Sequence, residues 1–402
     1  RKYDFDFKSW PVGFDMSHYQ DRRGMHPRYP VSVPPRGGIP LLQPIYYVLA
    51  HTLGVRLAYP GCTGILNYLV GPQLREARTN LIALYGIKRL KLKKTDSHEI
   101  EAFYVDRRKT DVEHGKTLVI CSEGNAGFPE IGTTTAPLNK GYSVIGWHHP
   151  GFQGSTGLPF PEDEQRSIDT IMQFAIQELK FEPKDIILYA WSIGGYATTW
   201  AAMNYPEVKS VVIDATFDNL DLLAEKALPK LFYPLVLETS KSYMDLNNVE
   251  QIKKFNGPIR LIRRTRDEMI TTNEKPDLIS NRGTYLLVEL LRHRYPNLFT
   301  KESENALLND LVMHPSERAI YKPKEGQVNT NCDDLITSHL REIDNFVEYP
   351  SKLGHNLNDK EKSDLLVYLA GKYMEDYDST HCTPLPPSYF RKGWGENELS
   401  KN

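Results

Sequence analysis

The chain has 402 residues, 40% of them hydrophobic and 11% aromatic, with a formal net charge of −2. That length and apolar content suit one large α/β domain with additions, or two modest domains, and exclude low-complexity disorder as the default. With no global basic field, a nucleic-acid partner is not expected.

The chain begins at Arg1, and no secretory signal peptide is visible. Residues 1–36 are polar, aromatic and proline-bearing and read as an extended lead-in, while residues 39–86 read as irregularly broken apolar helices; together, residues 1–86 form an N-terminal region open to membrane association. Two uncharged runs there, Gly37–Val55 and Leu57–Leu74, are about long enough to span a bilayer. Pro40, Gln43, Pro44, His51, Pro60 and Asn67 interrupt them, so a core or membrane-surface segment is expected, with any true anchor upstream of Arg1.

From Ile87 the texture changes, and residues 87–390 read as one α/β domain followed by a tail at 391–402. "IKRLKLKKTDSHEIEAFYVDRR" alternates apolar and polar residues around a Thr-Asp-Ser turn, which predicts an antiparallel hairpin. "TLVICS" and "YSVIGW" predict buried strands that end in the loops "EGNAGFPEIG" and "HHPGFQGSTG". A helix is predicted over Glu162–Leu179, from the stripe Ile168, Ile171, Met172, Phe174, Ala175 and Leu179. Further buried strands follow in "DIILYA", "VKSVVIDATF" and "PIRLIRRTRDEMI". Strands alternating with helices predict a mostly parallel sheet with helices on both faces and a site beyond the strands' carboxyl ends. An amphipathic stretch at 218–256 is a candidate lid, and 271–349 is a long helical insertion.

The chemistry concentrates in those loops. In "DIILYAWSIGGYATTWAA", Ser192 lies between an apolar strand and a small-residue helix, the context of a nucleophile elbow, with Gly194 two residues on and Ala190 where G-x-S-x-G has its first glycine. A serine hydroxyl needs a base within hydrogen-bond reach, and the base needs an orienting acid. Asp267, just past "IRLIRRTR", is the favoured acid; Asp214, ending "VVID", is its rival. Two histidines follow in the required order. His355 precedes an amphipathic helix, where this topology delivers its base, and His381 lies in "THCTPLPP" just after that helix. The oxyanion donors expected are the backbone N–H of Ile193 and that of Asn125 or Ala126 in "EGNAGF". His149 reads as a packing residue, since no second ligand stands at metal spacing. Cys62, Cys121, Cys332 and Cys382 show no C-x-x-C pattern, and free thiols in a reducing compartment are expected rather than a disulfide framework or zinc site. No Walker loop, zincin motif or dinucleotide fingerprint occurs, so neither metal nor organic cofactor is expected.

Taken together, "EGNAGF", "HPGFQGSTG", "DIILYAWSIGG", "LIRRTRDEMITT", "SNRG", "HRYP" and "THCTPLP" resemble the α/β-hydrolase domain-containing protein 16 family of phosphatidylserine lipases, over most of the chain. The resemblance implies an α/β-hydrolase fold and an intracellular serine hydrolase of the endoplasmic reticulum membrane, anchored by segments upstream of Arg1. It would convert phosphatidylserine to lysophosphatidylserine and a fatty acid, with a membrane phospholipid as its partner. By position, Ser192 matches the family nucleophile and Asp267 its acid; "THCTPLP" favours His381, whereas topology favours His355, and both stay open. Two other functions share the residues: a protein S-palmitoyl thioesterase with the same site chemistry, and a catalytically inactive scaffold.

Overall fold

A computed structural model describes residues 7–19, 29–32, 37–226, 229–321, 325–344 and 347–390. The remaining parts of the lead-in and the tail at 391–402 lie outside them. Nine strands, β1 (Phe14–Asp15), β2 (Lys88–Lys93), β3 (Glu99–Val105), β4 (Leu118–Ser122), β5 (Ser143–Trp147), β6 (Ile186–Trp191), β7 (Ser210–Asp214), β8 (Ile259–Arg264) and β9 (Met374–Tyr377), form one sheet. Its order is β1-β2-β3-β5-β4-β6-β7-β8-β9, and from β5 to β9 every pairing is parallel. The expected hairpin is β2–β3, antiparallel, and β3 pairs antiparallel with β5.

The central strands carry apolar side chains on both faces because both faces are covered. Along β6, Ile186 and Leu188 join one core cluster, while Ile187 and Tyr189 join the cluster on the other face. β4 divides in the same way, with Leu118 and Ile120 against Val119 and Cys121. The two-residue period of a strand thus gives an unbroken apolar run wherever helices lie on both sides.

The helix predicted from 162 starts at Pro161, where a proline costs no hydrogen bond, and runs to Gln173 before a π turn at Phe174–Glu178. Two elements differ from expectation. β1, inside the lead-in, adds a parallel strand to β2. β9 follows the helix Asp359–Tyr373 and pairs with β8, so the chain re-enters the sheet before its C-terminal loop. Within 271–349, Arg282–Arg294 packs into the main core through Leu286, Leu287, Leu290 and Leu291, and is no appendage. The helices Lys301–Val312 and Glu325–Glu342 pack on Asp359–Tyr373.

Residues 39–62 form helical turns, with helices Gly64–Tyr85, Asp221–Lys226 and Tyr233–Tyr243 alongside. Their inner side chains build a third cluster, in which Ala50, Val55, Tyr59 and Leu74 meet Phe128, Phe152, Phe160, Ile193, Phe217 and Ile270. This layer covers the carboxyl ends of β4 and β6.

Candidate active site

β6 ends at Trp191, and Ser192 follows with φ of 57°, in the left-handed region that a side chain enters only under constraint. The chain then turns at once into Ser192–Gly194 and the helix Gly195–Asn204. The turn is tight enough that a Cβ on Gly194 would stand 2.4 Å from the Glu123 carbonyl oxygen and 2.6 Å from that of Ser122. Glycine is obligatory there. Ala190, by contrast, is fully buried within β6, paired with Ser122 and Ile213, so its methyl is accommodated. Thr216 Oγ1 donates to the Ser192 carbonyl at 2.8 Å and pins the elbow to the end of β7.

Three polar side chains meet at this turn. His381 Nε2 lies 2.9 Å from Ser192 Oγ, and His381 Nδ1 lies 2.8 Å from Asp267 Oδ2. A carboxylate only accepts, so Nδ1 carries the proton it donates to Asp267, and neutral Nε2 is left to accept from the hydroxyl. Asp267 is fully buried, His381 is 3% exposed and Ser192 6% exposed. Asp267 Oδ1 accepts from the backbone N–H of Met269 and Ile270, at 2.9 and 3.0 Å, which fixes the carboxylate toward the ring. A hydroxyl, an imidazole and a buried carboxylate in series can move the hydroxyl proton onto the ring as the oxygen attacks an electrophile.

The other candidates fall elsewhere. His355 is exposed, in the turn before Asp359–Tyr373. Asp214 makes no hydrogen bond to either histidine; its carboxylate takes a two-pronged contact from Arg264, at 2.8 and 2.6 Å. Arg264 also donates to Ser379 Oγ, Thr380 O and Thr383 O at 3.1, 3.4 and 2.5 Å. This buried ion pair therefore ties the end of β7 to the loop that carries His381. The H-x-x-x-x-D spacing of some acyltransferases occurs at His339–Asp344, but His339 Nε2 bonds Ser351 Oγ at 3.0 Å and takes no part in this cluster.

Trp191 was not among the candidates. Its indole N–H donates to the His381 carbonyl at 3.1 Å, and its ring lies 5.4 Å from the imidazole. A Cβ on Gly124 would meet the same indole at 2.7 Å, so Trp191 touches both the histidine loop and the "EGNAGF" loop. Its place directly before Ser192 was the available signal.

Asn125 and Ala126 occupy a turn closed by Gly127 N–H donating to Gly124 O at 3.0 Å. Asn125 O accepts from Gly61 N–H at 3.1 Å, which joins the turn to the apolar layer above. Behind the turn, the Glu123 carboxylate accepts from Thr133 N and Oγ1 at 2.8 and 2.5 Å, and burial pushes its carboxyl upward. His149 bonds Glu123 O at 2.9 Å through Nε2 and Glu164 through Nδ1 at 2.8 Å. Burial opposes its charge, yet Glu164 outweighs it and raises the ring. His148 is flanked by Glu130 at 2.9 Å and Glu101 at 3.1 Å, and against the cost of burial these carboxylates lift it to about 9. Both histidines are structural members of a buried charge network under the loop.

Among the described residues no group of three or more His, Cys, Asp or Glu side chains could hold a metal ion, and the four cysteines are free. A cavity of about 310 Å3, lined by Val328, Cys332, Leu335 and Asp364 among others, lies between helices and touches none of the residues around Ser192.

The family model described as an alpha/beta hydrolase fold matches residues 117–240. The phosphatidylserine lipases ABHD16A of Rattus norvegicus and Homo sapiens are each 40% identical over 416 residues, covering 98% of this chain and 73% of the relative. An uncharacterised protein of Caenorhabditis elegans is 34% identical over 85% of this chain and 64% of its own length. Among solved structures, an α/β hydrolase of Vibrio vulnificus aligns with a TM-score of 0.44 at 15% identity, covering 64% of this chain and 86% of that one.

Proposed function

The chain belongs to the α/β-hydrolase family of the phosphatidylserine lipases ABHD16A, and on that premise we propose that it is a serine lipase that hydrolyses an acyl ester of phosphatidylserine. The products are lysophosphatidylserine and a fatty acid. The observation that carries the reading is the continuous hydrogen-bonded series from Ser192 through His381 to Asp267, at 2.9 and 2.8 Å.

In this reading His381 Nε2 takes the proton of Ser192 as Oγ attacks the ester carbonyl, and Asp267 stabilises the imidazolium that forms. The oxyanion is held by the N–H of Ile193 and that of Asn125 or Ala126. His381 then protonates the departing lysolipid oxygen, leaving an acyl-enzyme on Ser192. Water, deprotonated by the same nitrogen, attacks the acyl carbon; the ring returns its proton to Oγ as the fatty acid leaves. Neither metal nor organic cofactor takes part.

Ser192 is nearly covered in this structure, so a lipid tail reaches it only after the layer above has moved. Asp221–Lys226 and Tyr233–Tyr243 serve as the lid, and the cluster of Phe128, Phe217 and Ile270 beside Ile193 supplies an apolar wall for the acyl chain. The enzyme works at an intracellular membrane, that of the endoplasmic reticulum by the resemblance; among the described residues no helix is long and apolar enough to cross one.

The test is product release from pure phosphatidylserine in mixed micelles, with a fluorophosphonate probe as a count of active serine. Parent protein should release lysophosphatidylserine and be labelled, while Ser192→Ala should do neither, its hydrolysis falling by ~10⁴-fold or more. Labelling together with depalmitoylation of a peptide thioester, but no lysophosphatidylserine, would make the protein a thioesterase. A folded protein that does not label would be an inactive scaffold.

A further inference from the structure

The helical segment over the site is apolar on both of its sides. Gln43–Leu49, Ala50–Gly54 and Val55–Ala58 run on end to end, and the middle section is a π turn. One stripe, Tyr46, Ala50, Val55 and Tyr59, is fully buried in the molecule. The opposite stripe, Leu41, Ile45, Val48, Leu53 and Leu57, is exposed, with Leu41 at 85%. Both stripes skip five residues where they cross the π turn, from Ala50 to Val55 and from Val48 to Leu53, so the extra residue keeps each stripe straight. A surface helix of a globular protein ordinarily turns a polar side to water. Here no Asp, Glu, Lys or Arg occurs in Gly37–Val55 or Leu57–Leu74.

Neighbouring elements continue the surface. Ile65, Tyr68 and Leu69, on the first turns of Gly64–Tyr85, are 77%, 82% and 67% exposed. Leu231 and Phe232 precede Tyr233–Tyr243, with Leu231 at 84%. That helix packs directly on the 43–54 turns, with Tyr47 and His51 against Tyr243. Exposed apolar groups so concentrated mark a surface that meets something apolar.

We propose that this face is the surface by which the enzyme lies on a phospholipid bilayer, an inference that rests on the reading of its substrate as a membrane phospholipid. Three observations select a bilayer over a protein partner. The face is continuous with the site, because the buried stripe of the same helix shares a cluster with Ile193, the residue after Ser192. Arg56 is the one charged side chain from Gly37 to Leu74, its guanidinium turned back onto the carbonyls of His51 and Thr52, and Lys230 and Lys241 stand exposed alongside, as suits an anionic lipid surface. Glu238, the acid nearest its start, is turned against Gly38 rather than outward. The 43–58 turns, at ~1.5 Å per residue, reach roughly 24 Å, short of the ~30 Å hydrocarbon core, so the segment lies in the interface and does not span. Docked this way, the lid opens toward the lipid that the site consumes.

The experiment separates docking from chemistry. The Ser192→Ala protein, unable to consume lipid, is floated with vesicles of phosphatidylcholine alone or with phosphatidylserine. The same is done after adding Leu41→Glu, Val48→Glu and Leu53→Glu, and separately Leu231→Glu and Phe232→Glu. The parent background should float, more strongly with phosphatidylserine, and each charged set should weaken binding by roughly tenfold or more. With Ser192 intact, the set at Leu41, Val48 and Leu53 should keep hydrolysis of a dissolved short-chain ester within about twofold while losing hydrolysis of vesicle phosphatidylserine. Vesicle binding that survives the substitutions overturns the proposal, as does a parent that does not float. Self-association abolished by the same substitutions, without flotation, would assign the face to a second copy and likewise overturn it. Failure of the proposed function reads differently: vesicle binding lost in the charged sets, with no lysophosphatidylserine from the intact protein.

Discussion

A methyl at position 190 and a hydrogen at position 194 divide the constraints of the elbow between them. Ala190 sits inside β6 with room for its side chain, whereas Gly194 faces two carbonyl oxygens at less than 3 Å from where a Cβ would be. Gly194→Ala should therefore cost about 1–3 kcal/mol through overpacking against backbone that cannot yield. The variant should show a lowered Tm and lose fluorophosphonate labelling; full labelling at parental Tm would contradict the packing. The strand–turn–helix context of Ser192 and the place of Asp267 after a buried strand are local patterns, and these were legible. The histidine was not. Two signals divided there, helix position pointing to His355 and the resemblance of "THCTPLP" to His381, because what selects one is contact with residues 189 and 114 positions away.

At the scale of elements, the choice turned on β9. "MEDY" carries two acids, which no apolar alternation marks as a strand, yet it forms β9, and the loop that carries His381 begins only beyond it. In the sheet, Asp376 lies beside its partner Arg263, whose guanidinium grips the carboxylate at 2.7 and 2.9 Å. The charges satisfy each other across two parallel strands, which a linear pattern does not display. Arg264 does the same for the loop beyond, holding Asp214 and three acceptors at 379–383. Breaking a buried pair by removing one member typically costs ~3–5 kcal/mol, whereas replacing both with apolar groups is often neutral. Arg264→Met should thus lower both Tm and kcat. Arg264→Met with Asp214→Leu should regain much of the Tm while kcat stays low, because His381's loop is still unanchored. Equal recovery of both would show that Arg264 serves stability alone.

For the molecule as a whole, a mostly parallel sheet was readable from alternating strands and helices, whereas its strand order and the layer over its carboxyl ends were not. Residues 39–74 look like a failed membrane span in sequence because one side packs on the site and the other is bare. The charge network beneath sets a pH window. His148, raised to about 9 from an unfolded value near 6.5, contributes stability that is complete below pH ~6.5 and is lost as pH rises through 9. Tm should fall between pH 7 and 10, and His148→Gln should flatten that fall; a parental Tm level across this range would contradict the pairing with Glu101 and Glu130. The most direct test of the central claim compares lysophosphatidylserine release by the parent, His381→Ala and His355→Ala proteins. The proposed triad predicts that His355→Ala stays within about twofold of the parent and that His381→Ala falls by ~10³-fold or more. Activity retained without His381, or lost with His355, would contradict it.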